Sequence, residues 1–449
     1  MQIIADLHIH SRFSRAVSQR MNLIEIDNWA KKKGVKVVAT GDWTHPLWFR
    51  EIQSTLIESS PGLYSIKNGD SKTKFILATE ISSIYSQGGK TRRIHNVVFA
   101  PSINIAEKIS QKLQSQGAKL MSDGRPIIGL SARELLELIL SVDQQAFLIP
   151  AHIWTPWFSL FGSKSGFDTI IECFGDYAKY IYGIETGLSS DPLMNWQIKE
   201  LENRSIISSS DAHSCQKLGR EATVFIAQNS NLKTQNLNFS YIDIFEAIQQ
   251  KPNAKLKIGY TIEFFPEEGK YHWSGHRSCN IRYNAKEVIE KGIFCPVCKQ
   301  PLTIGVENRV IKLAEKILQP SDIIMMSNKA GLTFVYDKDK KRRPFVSTVP
   351  LSEVLLEVNN NSPTKALAQY EKLIPAFANE FEILLSRPYS DIEKYAGVKL
   401  AQAIKILRER KVFVDPGYDG VFGKVKVFND NVETTIEQIP AVEKQPSLF

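Results

Sequence analysis

The stretch Gln2-Ile-Ile-Ala-Asp6-Leu-His8-Ile-His10 decides how the rest of the chain is read. An apolar run that ends in two histidines two residues apart reads as a short strand, with both imidazoles projecting from one face at its tip. Chemistry of that kind at a strand end invites a search for similar endings downstream.

They recur. Strands are expected at Gln2–His10, Val35–Asp42, Phe75–Ser82, His95–Pro101, Phe147–Ile153, Tyr182–Leu188, Ser205–His213 and Ala222–Ala227. Helical patterns lie between them at Leu23–Lys33, Ala132–Val142 and Pro192–Leu201. Alternating strands and helices imply an α/β protein with a parallel sheet, and seven or eight such units imply a closed barrel.

In such a barrel the chemistry gathers at the C-terminal ends of the strands. Asp42, with His45 just behind it, ends the second strand, and Glu80 ends the third. His152 follows the fifth strand, and Asp211-Ala-His213 closes the seventh, again with two side chains on one face. His95 is out of phase, because it opens its strand. The expected metal ligands are therefore His8, His10, Asp42, His45, Glu80, His95, His152, Asp211 and His213. Imidazole with carboxylate suits Zn, Mn or Fe, and more such ligands than one ion can use imply two to three divalent ions, with Mg, Mn or Zn as the expected candidates.

A second set has a different character. His276-x2-Cys279 and Cys295-x2-Cys298 are two knuckles separated by fifteen residues. That spacing predicts one four-coordinate structural Zn, with His272 as an alternative to His276. Cys173 and Cys215 are expected to be buried thiols.

At 449 residues the chain is expected to hold two or three domains, and its 43% hydrophobic content can furnish a sizeable core. The segments read as a barrel over 1–264, a zinc-binding segment over 265–308, a mainly helical DNA-binding domain over 309–428 and a flexible tail over 429–449. No apolar run approaches the ~20 residues that a membrane helix needs. The N-terminus shows no signal-peptide pattern, so a cytoplasmic location is expected. A formal charge of +8 and a pI near 9.0 favour a polyanionic partner.

The candidate cations for a phosphate are Arg12, Arg15, Arg220 and Lys164, the last within Gly162-Ser163-Lys164-Ser165-Gly166. Backbone N–H groups of that loop are candidates to cradle a phosphate. Trp43, Trp48, Trp154, Trp157 and Trp196 follow barrel strands, where indoles can stack on bases. Arg15, Trp43, Ser163, Lys164, Ser165, Trp154 and Trp196 form the expected nucleic-acid contact set. The run Lys338-Asp-Lys-Lys-Arg-Arg343 offers a further electrostatic grip.

The ordered series His8-x-His10, Thr40-Gly-Asp42, Glu80, His95, His152 and Asp211-x-His213 resembles the PHP (polymerase and histidinol phosphatase) family. That resemblance implies a distorted seven-stranded barrel with a trinuclear centre that hydrolyses phosphoesters with metal-activated water. Asp211, His213, Glu80, Arg12, Lys164 and Arg220 would then serve catalysis. The family usually has His directly after the motif-two Asp, whereas here Trp43 follows Asp42 and the histidine is at 45.

The segments Phe265–Cys279, Phe294–Cys298 and Pro416–Gly420 resemble one PHP branch, endonuclease Q. This implies nicking of double-stranded DNA 5′ of deaminated bases (uracil, hypoxanthine, xanthine) or abasic sites, with the damaged base flipped from the duplex. A small-molecule phosphatase shares the metal set, but leaves the zinc segment and C-terminal region without a purpose. A silent DNA-binding scaffold would not need the full ligand set. The chain ends Gln445-Pro-Ser-Leu448-Phe449, a match to the pentapeptide with which bacterial repair proteins dock on the sliding clamp.

Overall fold

The computed structural model describes residues 2–70, 72–228 and 238–428. The chain divides into two compact units, one built from the N-terminus to Lys31, Val35–Gly187 and Asn203–Thr261, the other from Lys32–Gly34, Leu188–Glu202 and Ile262 onward. The expected boundary at 264 falls close to that division, but Leu188–Glu202 belongs to the second unit.

In the first unit, β1 (Gln2–Asp6) lies parallel to β2 (Val37–Ala39) and antiparallel to a strand far along the chain, Ala222–Ala227. Beyond β2 come β3 (Leu56–Ser60), β4 (Leu63–Ile66) and β5 (Lys74–Ile76), in the order β2-β5-β4-β3. A second sheet holds β6 (Ala78–Gln87), β7 (Lys90–Phe99), β8 (Ile127–Ile128) and β9 (Phe147–Pro150), ordered β8-β6-β7-β9. A third is the parallel pair β10 (Gly183–Glu185) and β11 (Ser205–Ile207).

These ladders are separate in their hydrogen bonding. Single backbone bonds link the ends of different ladders, Ile153 N–H to Glu185 O and His10 N–H to Ala212 O. The all-parallel expectation needs correction, because β7 runs back along β6 as a long antiparallel hairpin. Its cause is local: Gly88 and Gly89, both at positive φ, form a two-residue turn between Gln87 and Lys90.

Two helices of this unit match their sequence patterns residue for residue: α1 (Leu23–Lys33) and α4 (Ala132–Val142), with α2 (Pro46–Thr55) and α3 (Ile103–Ser115) between them. A capping box of Ser131 and Glu134 starts α4, whose Leu135, Leu136 and Ile139 are buried. Phe147 stacks between Phe99 and Phe245 at centroid distances of 4.4 and 4.5 Å, each ring contributing ~1.5–3 kcal/mol by burial.

The C-terminal region is less helical than its sequence pattern implies. Strands Ile323–Ser327, Thr333–Asp337 and Phe345–Ser347 form a meander before the helices Leu351–Val358, Pro363–Phe377, Tyr389–Ala396 and Val398–Arg408. The region expected to be helical from 309 onward begins on a short helix, Val306–Leu313. Buried Arg408 binds the helical layer by donating to the carbonyls of Ala330, Ile383, Leu384 and Arg387. Lys33 pairs with buried Glu380 at 2.8 Å, and Glu380 also accepts from Tyr370 and from the Leu351 N–H. No helix among the described residues is long and apolar enough to cross a membrane.

Candidate metal centre

Along the end of β1, buried Leu7 and Ile9 alternate with His8 and His10, so both imidazoles emerge on the opposite face. A parallel bridge between Ile9 and Ala212 lays Asp211-Ala-His213 alongside them. His8, His10 and Asp211 consequently converge, their ligand atoms all within 4.8 Å of one another.

Glu80, His95 and His152 form a second group of the same kind. On the β6–β7 hairpin, Glu80 pairs with Val97 and Ser82 with His95, placing Glu80 and His95 on one face. This resolves the phase of His95: in an antiparallel partner, the early part of one strand lies beside the late part of the other. Glu80 Oε1 lies 2.7 Å from His95 Nδ1 and 3.0 Å from His152 Nε2. The same carboxylate reaches the first group, 3.8 Å from His8 Nε2 and 3.5 Å from His10 Nε2.

Carboxylates orient the first two rings from behind. His8 Nδ1 donates to Glu185 at 3.0 Å, and His10 Nδ1 donates to Asp42 at 3.1 Å. The far Nε2 atoms of both rings, and Asp211 Oδ1, are buried without a hydrogen-bond partner, although His10 Nε2 and Asp211 Oδ1 are only 3.0 Å apart. Leaving buried polar atoms unpaired costs about 1–3 kcal/mol each, whereas a shared cation satisfies all three. The residues therefore fit a divalent metal.

The titrations agree with a cation-seeking site. Burial opposes protonation of His8, but Glu185, Glu80 and Asp211 outweigh it and push the ring up to about 9. Against the same penalty, Asp211 and Asp42 push His10 up to about 10. Burial lowers His95 to about 4 despite Glu80 beside it. Burial alone would raise Glu80 and Asp211. The charges of His95 and Arg125 hold Glu80 well below the usual carboxylate range, and His10 and His8 do so for Asp211.

Backbone strain marks the same residues. Asp42, His152 and Asp211 all adopt positive φ, at 46°, 28° and 46°. Gly187, also at positive φ, lies so close to His152 that a Cβ there would sit 2.3 Å from the histidine Cβ. Only glycine admits the ring at that point.

Several expected roles change. Asp42 has its oxygens engaged by His10, the Ser11 N–H and the Ser14 hydroxyl, so it stands behind a ligand ring. His45 lies outside both groups and stacks on Phe13 at 4.5 Å. His213 also falls outside them, yet its ring is 4.7 Å from that of His10, and its Nδ1 donates to the Asp211 carbonyl, leaving Nε2 as the lone-pair nitrogen.

Four of the five tryptophans expected at the rim, Trp43, Trp48, Trp154 and Trp196, are core residues, while Trp157 is half-buried. Trp43, Trp154 and Trp196 are 0%, 1% and 5% exposed, which leaves no face for a base. The Gly162–Gly166 loop cannot cradle a phosphate as expected, because the N–H groups of Gly162, Lys164, Ser165 and Gly166 already bond to carbonyls. Ser163 is half-buried, Lys164 is exposed, and the Ser165 hydroxyl is tied to Arg93 O and the Phe158 N–H. Arg12 pairs with Glu51 at 2.7 Å, and Arg15 lies over Asp123 with its side chain 81% exposed. Arg220 donates to the carbonyls of Ser210 and Asp211, bracing the loop that carries Asp211.

Two residues escaped sequence reasoning. Glu185 falls in the middle of the strand expected at Tyr182–Leu188, and only the shorter observed strand, Gly183–Glu185, puts it at a strand end. Arg125, which donates to Glu80 at 3.1 Å, sits in a loop with no spacing cue.

The other unit holds the second candidate site. His276, Cys279, Cys295 and Cys298 form one group, with Cys298 Sγ 3.4 Å from His276 Nδ1. Burial would raise the Cys295 thiol, but the N–H groups of Cys298 and Val297 bring it down to about 6. Fully buried His272 lies outside the group, which favours His276. The surrounding core is small, made of Tyr283, Val288, Cys295 and Leu302. Within Lys338–Arg343, Arg342 folds back onto the Trp196 carbonyl and Glu202, while the other residues are exposed. Gln445, Leu448 and Phe449 lie outside the described residues.

Comparison with known proteins extends this geometry. The sequence pattern of the MJ0043 C-terminal domain family matches residues 350–411. The protein MJ0043 of Methanocaldococcus jannaschii is 29% identical over 296 residues, 64% of this chain but only 33% of that protein. The chain thus spans about a third of that relative. YqxK of Bacillus subtilis is 24% identical over 95% of this chain and 99% of its own length.

Among solved structures, the lesion-specific endonuclease Q of Pyrococcus furiosus superposes with a TM-score of 0.78 at 27% identity, over 97% of this chain and 98% of that one. Endonuclease Q bound to a 27-mer duplex with an abasic lesion at its active site gives 0.79, at 27% identity and over 97% and 99% of the two chains. The likeness to endonuclease Q therefore runs through nearly the whole chain.

Proposed function

We propose that this chain is a metal-dependent DNA repair endonuclease of the endonuclease Q type. The observation that carries the reading is the pair of histidine–carboxylate groups sharing Glu80, in a chain that follows a lesion-specific endonuclease almost end to end. Damaged duplex DNA is the proposed partner, in keeping with the +8 formal charge.

Two to three divalent ions at this centre would supply an activated water and neutralise charge on the phosphate. His8, His10 and Asp211 would hold one ion, and Glu80, His95 and His152 another. Glu185 and Asp42 keep the Nδ1 proton on His8 and His10, so that Nε2 presents its lone pair to the ion. His213 and Asp42 are proposed contributors at the margin of the set. Bridging by Glu80 would keep the two ions close enough to act on one phosphate. The single backbone bonds between ladder ends support reading the first unit as a distorted barrel of the PHP type.

Finer readings follow. The scissile bond lies 5′ of a deaminated base or an abasic site. One Zn at His276, Cys279, Cys295 and Cys298 organises a segment whose core is too small to fold by itself. The tail Gln445–Phe449 docks on the bacterial sliding clamp, which a pull-down with and without those residues tests.

The test of the main reading uses 5′-labelled duplexes carrying one uracil, hypoxanthine or abasic site, with Mg²⁺ or Mn²⁺. A nick 5′ of the lesion, absent from undamaged duplex and from the Asp211→Ala protein, is expected. Hydrolysis of histidinol phosphate without nicking would transfer the centre to small-molecule chemistry.

A further inference from the structure

We propose that Arg125 is a phosphate-binding residue of the metal centre, its guanidinium holding a non-bridging oxygen of the scissile group. The inference rests on the phosphoesterase reading for the identity of its ligand.

Arg125 stands beside the carboxylate common to both ligand groups, 3.1 Å from Glu80 Oε2. A guanidinium carries five N–H donors in a rigid fork. Among the described residues its side chain makes this one hydrogen bond, so most of the fork is uncommitted. The side chain is also 25% exposed, which leaves one edge open to an incoming ligand. A planar fork suits two oxygens of a tetrahedral phosphate better than a lone ammonium does.

The loop around it is built to hold it still. The Arg125 N–H bonds to Asp123 Oδ1 at 3.1 Å, an oxygen that also accepts the Arg15 N–H at 3.3 Å. The Gly124 N–H donates to Phe13 O at 3.0 Å, on the turn after His10. On the other side the Ser82 N–H donates to Pro126 O at 3.0 Å, and Ile127 pairs with Ser82 on the Glu80 strand. Arg125 is therefore pinned between the two segments that carry His10 and Glu80, and a preorganised donor loses little freedom on binding.

The other cations near the centre have different commitments. Arg12 is paired with Glu51, Arg220 braces two carbonyls, and Arg15 and Lys164 are exposed. A purely structural role for Arg125, holding Glu80 in place, makes a different prediction: its loss would empty the metal site.

The deciding experiment compares wild type, Arg125→Lys and Arg125→Gln, each loaded with Mn²⁺. Bound Mn²⁺ per chain, the dissociation constant for inorganic phosphate, and KM and kcat for nicking are read together. Both variants are expected to keep wild-type metal content. Phosphate binding should weaken about 10-fold to 100-fold in Arg125→Gln, the range for losing a charge-assisted bond, and less in Arg125→Lys.

Phosphate binding within about twofold of wild type, or loss of Mn²⁺ in step with activity, would overturn the inference. If wild type binds phosphate through Arg125 yet cuts no DNA, the endonuclease reading fails and this inference stands. If wild type nicks lesions while phosphate ignores Arg125, this inference alone fails.

Discussion

One oxygen of Glu185 accepts from two histidines of the candidate metal centre: His8 Nδ1 at 3.0 Å and the backbone N–H of His152 at 2.9 Å. A single carboxylate on β10 thus sets the tautomer of a ring on the first strand segment and the backbone of a residue after β9. That ties together histidines from the two ligand groups, which lie 144 positions apart in sequence (152 less 8).

Removing that carboxylate should loosen the metal rather than the fold alone. Glu185→Ala is expected to weaken Mn²⁺ binding about 10-fold to 100-fold, as loss of the partner behind a metal-ligating histidine does. Glu185→Gln retains an oxygen acceptor and should lose less. Calorimetric Mn²⁺ titration checks both, and equal affinity in all three proteins would remove Glu185 from the metal centre.

The raised histidines set a pH dependence with a definite sign. His8 and His10 sit at about 9 and about 10 in the metal-free protein, above their ordinary 6.5, through Glu185 for one and Asp211 with Asp42 for the other, both against burial. Protonation therefore stabilises the metal-free fold fully below about pH 6.5, and that contribution is lost as pH rises through about 9 to 10. Tm of the metal-free protein should fall across that alkaline window. Mn²⁺ competes for the same nitrogens, so its addition at neutral pH should release protons into a weakly buffered solution. Binding without proton release would put the ion elsewhere.

Zinc in the second unit should behave independently of the first. Cys295→Ser or Cys298→Ser is expected to lose one Zn per chain and to expose the region around Tyr283, Val288 and Leu302 to proteolysis. Mn²⁺ bound by His8, His10 and Asp211 should persist. Full Zn content in both variants would refute the assignment of these ligands.

For the buried indoles the expectation is stability, not recognition. Trp43→Ala should cost about 3–5 kcal/mol in denaturant unfolding, as for other large core truncations, with no selective loss of DNA affinity in the fraction that stays folded. A stable variant that binds DNA poorly would return Trp43 to the interface.

What the sequence by itself determined is local. The period-two spacing of His8 with His10 places both rings on one face, because alternation belongs to extended backbone, whereas Asp211 sits at positive φ and His213, two residues on, falls outside both groups. The pairs His276 with Cys279 and Cys295 with Cys298 were legible from their spacing, as were α1 and α4, whose boundaries follow from short-range periodicity and capping. His152 follows a strand as expected, whereas Glu80, read as ending one, lies near the start of the ten-residue β6.

Tertiary structure decided everything that depends on direction and depth. Whether His95 meets Glu80 turned on β7 running antiparallel, which a two-glycine turn permits but a strand-helix alternation does not announce. Exposure of Trp43, Trp154 and Trp196 is not encoded in residue type, since an indole after a strand packs inward or outward according to what the remaining chain places over it. Asp42 and Glu185 are both carboxylates at strand ends, and each became the partner of a histidine Nδ1 because a ring from elsewhere arrived behind it. Arg125 has no pattern of its own in the sequence, and only the loop pinned to Phe13 and Ser82 brings its charge to Glu80. Spacing fixes which face a side chain leaves by, while the folded chain fixes what it meets there.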